Sequence, residues 1–176
     1  MANNSESIGS GIFRIEQVIV QGKDAKVWKL VFDLPGEKVN KLSRKVMDDF
    51  TSTVLPKLAD MGKAARIDVL LLVSGKPGNF LAGADIDMIL ATKSAEEAEA
   101  LSKEGHRVMN AWEDLPFPTV AAIDGACLGG GCELALASTA IVMSDNAQAK
   151  IGLPEVNLGV LPGSGGCVRL PRKVGI

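Results

Sequence analysis

One histidine, His106, and three cysteines, Cys127, Cys132 and Cys167, are the softer metal ligands available in this 176-residue chain. That is thin material for a zinc site, which takes four ligands drawn largely from those residue types. An odd number of cysteines among small or apolar neighbours reads instead as buried, reduced thiols in a reducing compartment. His106 falls in a charge-rich helical stretch, which makes it a surface or helix-packing residue rather than a general base. Aromatic side chains are equally sparse: two tryptophans, Trp28 and Trp112, and five phenylalanines, too scattered to stack bases. The formal net charge is −2, so no global field draws the chain to nucleic acid. Apolar runs are short. The longest, VLLLV at 69–73, falls far below the ~20 residues that cross a bilayer, and Asp124 and Glu133 interrupt the other apolar region. MANNSESIGSG at the amino end has neither the basic segment nor the apolar core of a targeting peptide, and reads as a frayed tail over residues 1–11. Two catalytic motifs are missing as well. No Gly-x-x-x-x-Gly-Lys-[Ser/Thr] occurs, which excludes a Walker-type phosphate loop. Ser164 has Pro162 where a Gly-x-Ser-x-Gly nucleophile elbow needs glycine.

What is present fits one domain with a real core: 47% of residues are hydrophobic and the mean hydropathy is +0.19. KVWKLVFDL (26–34) and ARIDVLLLVSG (65–75) predict strands. The continuous apolar run of the second predicts burial on both faces, as in a parallel sheet. PTVAAIDG (118–125) and TAIVMSD (139–145) repeat that character. Helical patterns cover about 43–62, 94–114 and 131–138, with Pro56 dividing or kinking the first. Ser94 followed by Glu97 has the spacing of a capping box. Strands alternating with helices predict an α/β fold with right-handed crossovers. No linker, repeat or low-complexity segment divides the chain.

The densest chemistry lies in GACLGGGCELALASTAIVMSDNAQAKIGLPEVNLGVLPGSGG, residues 125–166. Gly129, Gly130 and Gly131 let backbone N–H groups approach a ligand closely, because no Cβ stands in the way. A helix starting there, as CELALAS suggests, leaves its first N–H groups unpaired and its positive dipole end outward. The combination is a place for a developing oxyanion, with Glu133 fixed a few residues later and Glu155 following in a Pro-Glu turn. A polarised carbonyl beside two carboxylates points to chemistry at the α and β carbons of an acyl group. Two carboxylates in a small, partly apolar site cannot both ionise easily, so the pair offers an acid and a base near neutral pH.

These blocks resemble the crotonase (enoyl-CoA hydratase/isomerase) superfamily. NFLAGADIDMI (79–89) is similar to the family's first oxyanion-hole segment, PTVAAIDG (118–125) to the strand feeding the second, and LPEVNLGVLPGSGGCVRLPRKVG (153–175) to its second-glutamate block. With DLPGEKVNKLS (33–43), the match is nearest to the amino-terminal hydratase domain of multifunctional fatty-acid oxidation alpha subunits and runs over about residues 12–176. The resemblance implies a spiral of ββα units, apparently lacking its carboxy-terminal helical part. It implies oxyanion-hole amides at Ala84 and Gly130, with Asp85 capping the helix DIDMIL so that the Ala84 N–H is aimed. Glu133 would then orient and activate water while Glu155 exchanges the Cα proton.

The same resemblance assigns the CoA and acyl contacts to Val39, Asn40, Leu42, Leu81, Ala82, Gly83, Asp85, Gly129, Pro154 and Gly163. The implied reaction is hydration of a 2-trans-enoyl-CoA to a 3-hydroxyacyl-CoA in fatty-acid β-oxidation. Enoyl-CoA double-bond isomerisation and a non-catalytic CoA- or partner-binding fragment stand as alternatives. No metal or redox cofactor is expected, coenzyme A being part of the substrate. Implied partners are the acyl-CoA and either further copies of the chain or a thiolase beta subunit. The implied location is a bacterial cytoplasm, with the mitochondrial matrix as the other reading. Lys38, Lys41, Arg44 and Lys45 cluster beside the 33–43 loop; a nucleotide phosphate contact and a solvated helix start explain them equally well.

Overall fold

A computed structural model describes residues 5–175 of the chain. Its larger sheet opens with an antiparallel meander, β1 (Ser5–Ile8), β2 (Phe13–Val18) and β3 (Val27–Phe32). It continues in parallel through β4 (Val69–Ser74), β6 (Thr119–Ile123) and β8 (Ala140–Met143), in the order β1-β2-β3-β4-β6-β8. A smaller parallel sheet is built from β5 (Asn79–Leu81), β7 (Ala126–Leu128) and β9 (Lys150–Gly152). The chain therefore visits the two sheets alternately. After β4 and β5 come α3 (Ile86–Leu90) and α4 (Ala95–Glu113); after β6 and β7 comes α5 (Gly130–Leu136); after β8 and β9 come a 3-10 turn (Glu155–Leu158) and α6 (Gly166–Val174). This is the expected spiral of ββα units, and it brings the starts of α3 and α5 to one end of the small sheet.

Two features of the strands differ from the sequence expectation. The amino terminus is not a frayed tail throughout: Ile8 is buried and β1 pairs in register with β2, while residues 1–4 lie outside the described residues. Nor are all the apolar strands covered on both faces. In β4, Leu70 and Leu72 are buried whereas Val69, Leu71 and Val73 are half-buried, and in the edge strand β8 Val142 is 58% exposed. A short apolar run carries the same sequence signature whether one face or two is covered.

The helices follow their local signals. α1 (Arg44–Asp49) starts at Ser43, whose hydroxyl accepts from the Val46 N–H, and a π-helical turn (Phe50–Val54) joins it to α2 (Leu55–Lys63). Pro56 has no N–H to donate back along the helix, and the widened turn sits immediately before it. There the Thr51 and Ser52 hydroxyls donate to the Met47 and Asp48 carbonyls at 2.7 Å. Ser94 caps α4 by accepting from the Glu97 N–H, but Glu97 reaches back to the Lys93 N–H rather than to that of Ser94. The scattered aromatics converge in the core. Phe13 stacks on Phe32, Phe50 tilts against Phe13, and Trp112 completes the row at 5.7 Å from Phe50. Trp112 is fully buried, so its indole N–H needs a partner; it donates to the Ser138 hydroxyl at 3.0 Å. Cys127 and Cys132 are buried as expected, but Cys167 on α6 is exposed.

Candidate active site

Two loops bring the Ala84 and Gly130 amides together. The Leu42 N–H donates to the Gly83 carbonyl (2.8 Å) and the Asp85 N–H to the Leu42 carbonyl (3.0 Å), an isolated parallel bridge across Ala84. Those bonds straddle Ala84, so its own N–H is turned away from Leu42, as alternation along an extended segment requires. On that side lies the start of α5. A Cβ built on Gly130 would stand 3.5 Å from the Ala84 nitrogen. Gly130 is the first helical residue, and the opening N–H groups of a helix have no intrahelical acceptor. Among the described residues, neither the Ala84 nor the Gly130 N–H has a backbone acceptor.

The glycine run makes this approach sterically possible. Gly129 has φ +53° and ψ −125°, outside the range of L side chains. A Cβ on Gly131 would lie 2.7 Å from that of Leu81, so α5 packs directly on β5 because position 131 is bare. Asp85 caps α3 by accepting from the Asp87 N–H at 3.2 Å, as expected, and its other oxygen meets the Lys41 ammonium at 3.2 Å.

Glu133, one turn into α5, is 2% exposed, and its Oε1 accepts from the Ser164 N–H (2.7 Å) and the Gly166 N–H (2.8 Å). The glycine-rich loop at 163–166 therefore holds this carboxylate in one orientation. Glu155 opens the 3-10 turn behind Pro154 and stands over the glycine run: a Cβ on Gly129 would come 3.2 Å from its Oε1. Its Oε2 is buried without a hydrogen-bond partner. Burial holds the Glu155 carboxyl above its ordinary value, the Glu133 charge adds to that, and its own backbone N–H opposes it. The neighbouring Cys132 thiol is pushed up to about 11, by burial first and then by Glu133 and Glu155. It is a buried neutral thiol, not a nucleophile.

Both carboxylates and both amides face a cavity of about 640 Å³. Away from them its walls are apolar, including Met47, Ile89, Leu101, Leu128 and Leu161, and the Arg44–Glu104 ion pair (3.5 Å) crosses its rim. Leu42, Ala82, Gly83, Gly129, Pro154 and Gly163 line it as well. Three residues assigned to ligand contact have their side chains engaged in the scaffold. Asn40 is fully buried; its side-chain Oδ1 accepts from the Leu34 N–H, and its side-chain Nδ2 donates to the Phe32 carbonyl and the Ser74 hydroxyl. Leu81 is 1% exposed and belongs to the core. Asp85 is occupied as cap and ion-pair partner. Val39 is exposed and does not line the cavity.

Lys41 pairs with Asp85 and Glu37 and Arg44 with Glu104, while Lys38 and Lys45 are exposed. Sequence reasoning missed the methionines and leucines of the cavity wall, which carry no signature beyond helical apolar spacing. It also missed the amides of Ser164 and Gly166 as the holders of Glu133; the LPGSGG loop was the available signal.

The chain is similar to known proteins over most of its length. The model of the enoyl-CoA hydratase/isomerase family matches residues 22–176. The fatty acid oxidation complex subunit alpha of Aliivibrio fischeri is 50% identical over 153 residues, 87% of this chain and 22% of that protein. Its counterpart in Shewanella baltica is 49% identical over 154 residues, 88% of this chain and 21% of that protein. The chain thus spans about a fifth of the length of the curated relatives it matches. Among solved structures, an enoyl-CoA hydratase from Bacillus anthracis superposes with a TM-score of 0.74 at 29% identity, over 91% of this chain and 58% of that one. DspI from Pseudomonas aeruginosa gives a TM-score of 0.78 at 25% identity, over 96% of this chain and 63% of that one. With its family model covering all but the first strands, this chain belongs to the enoyl-CoA hydratase/isomerase family.

Proposed function

We propose that this site hydrates a 2-trans-enoyl-CoA to a 3-hydroxyacyl-CoA. The observation that carries the reading is a buried, unpartnered carboxyl oxygen on Glu155 beside two amides, Ala84 and Gly130, that lack backbone acceptors. The thioester oxygen sits between those amides, which stabilise it as negative charge develops; a donor of this kind is worth about 3–4 kcal/mol at a transition state. Glu133, fixed by two loop amides, takes a proton from water as the water oxygen bonds Cβ. The π electrons of the double bond move toward the thioester oxygen. Glu155, whose burial favours its protonated form, delivers its proton to Cα. The proton taken by Glu133 then replaces the one given by Glu155. Water and the enoyl thioester are the reactants, and coenzyme A enters as part of the substrate, its acyl chain running into the apolar part of the cavity.

The name of the relatives supports a role in fatty-acid β-oxidation within a bacterial multi-subunit complex. A thiolase subunit or further copies of this chain are the partners to look for in a size measurement. Double-bond isomerisation is the second reading, supported by the same Glu155, since moving a proton between carbons needs one carboxyl alone. Glu133→Gln separates the two. On the hydratase reading it removes turnover of a 2-enoyl-CoA; if instead a 3-enoyl-CoA is isomerised at the wild-type rate while wild type never hydrates, isomerisation is the function.

A further inference from the structure

Arg169 on α6 touches neither catalytic carboxyl, yet it grips the loop that holds one of them. Its Nη1 donates to the Ser164 carbonyl at 3.0 Å. The rest of the guanidinium is anchored on α4: Nε and Nη2 donate to Glu113 Oε2 at 3.0 and 2.8 Å, and Nη2 to Asn110 Oδ1 at 2.6 Å. The Arg169 side chain is 11% exposed, and this forked geometry resists displacement better than a point charge does. The peptide group whose carbonyl Arg169 holds lies between the two N–H groups, of Ser164 and Gly166, that donate to Glu133 Oε1. A displacement of that peptide is passed to the two peptides flanking it, which carry both donors.

The surrounding chain is shaped to admit the contact. Gly165 has φ +106°, and a Cβ there would collide with Arg169 Nη1. A Cβ on Gly105 of α4 would likewise collide with the Ser164 hydroxyl, and Ser102 donates to the Gly163 carbonyl at 2.6 Å. We infer that Arg169, locked to Glu113 and Asn110, is a positioning residue that sets the aim of Glu133 through the Ser164–Gly165 peptide. The inference rests on the hydratase reading for its kinetic consequence and on the loop geometry alone for its structural one.

The test compares Arg169→Met, Arg169→Lys and Glu113→Gln with wild type, by steady-state hydration of a 2-enoyl-CoA and by amide hydrogen exchange. Misaiming a reacting group by about 1 Å can cost ~100-fold, so Arg169→Met is expected to lower kcat roughly 10- to 100-fold with KM nearly unchanged. Exchange at the Ser164 and Gly166 amides should accelerate while exchange at Leu72 in the core stays as in wild type. Arg169→Lys keeps the charge without the fork and should behave like Arg169→Met. Glu113→Gln, on an exposed side chain, should show the same pattern more weakly, and it decides the matter if the Arg169 variants fail to fold. Wild-type kcat in folded variants, or unchanged exchange at Ser164 and Gly166, overturns the inference. If wild type turns over no enoyl-CoA, the hydratase reading fails, and the exchange measurement alone decides whether Arg169 holds the loop.

Discussion

Glu133 holds the 163–166 loop and, in the proposed reaction, activates water; a pair of substitutions separates the two roles. Glu133→Ala removes the acceptor of the Ser164 and Gly166 N–H groups inside a site where the residue is 2% exposed. A buried donor left unsatisfied costs about 1–3 kcal/mol, so two of them destabilise the fold by roughly 2–6 kcal/mol. In a domain of this size 1 kcal/mol shifts Tm by about 2–4 °C, which puts the melting temperature of Glu133→Ala roughly 5–20 °C below wild type. Glu133→Gln keeps an oxygen where Oε1 stands. Its two hydrogen bonds weaken from charged to neutral, about 1 kcal/mol each, and relief from burying a charge offsets that loss. Its Tm should fall within about 3 °C of wild type. Both variants should lose hydration. Thermal unfolding followed by tryptophan fluorescence, with the enoyl-thioester assay alongside, reads both quantities. If Glu133→Ala melts with wild type, the loop at 163–166 is not held by Glu133 and the geometry argued for the site is wrong.

Three further perturbations probe the scaffold. Glu155→Gln should stabilise the protein at neutral pH. The Glu155 carboxyl sits above its ordinary 4.5 in the folded state, so the stability it contributes is complete below that value and lost as pH rises through its folded pKa. Denaturation midpoints should therefore coincide at about pH 4 and favour the variant at about pH 8; a gap that closes as pH rises contradicts the assignment. Asn40→Ala strands the Leu34 N–H and takes from the Phe32 carbonyl one of its two donors, the Gly75 N–H remaining, a loss of about 1–3 kcal/mol; an unchanged urea midpoint would show that the Asn40 side chain does not hold the end of β3. Gly131→Val forces side-chain carbon into Leu81 on β5 and should abolish folding or displace α5, read by circular dichroism and loss of turnover together; a folded, active variant would show that α5 has room to move.

The alternation of strands and helices was legible because its parts are written locally, while the ββα spiral followed from the family resemblance. Ser94 and Glu97 mark the start of α4, Pro56 the break before α2, and the glycines at 129–131 the close start of α5. The site was legible where backbone chemistry dictates residue type. Gly131 is bare because a Cβ there would lie 2.5 Å from the Leu81 carbonyl oxygen, and this lets α5 start directly against β5. Side-chain destinations were harder to read. Asn40 and Leu81 sit in a loop and strand beside the site, and sequence position says nothing of whether a side chain turns inward or toward a ligand. Asn40 turned inward because the Leu34 N–H, just past the end of β3, required a partner. The Arg169–Glu113 lock joins residues far apart in sequence, α6 to α4, and only the fold brings them together.

The most direct test of the account is the loss of conjugated enoyl-thioester absorbance when this chain meets short- and long-chain 2-enoyl-CoA, beside Glu133→Gln and Glu155→Gln. The account predicts hydration by wild type and its loss in both folded variants. Binding of the enoyl-CoA without turnover by wild type, or wild-type rates in either variant, would contradict it.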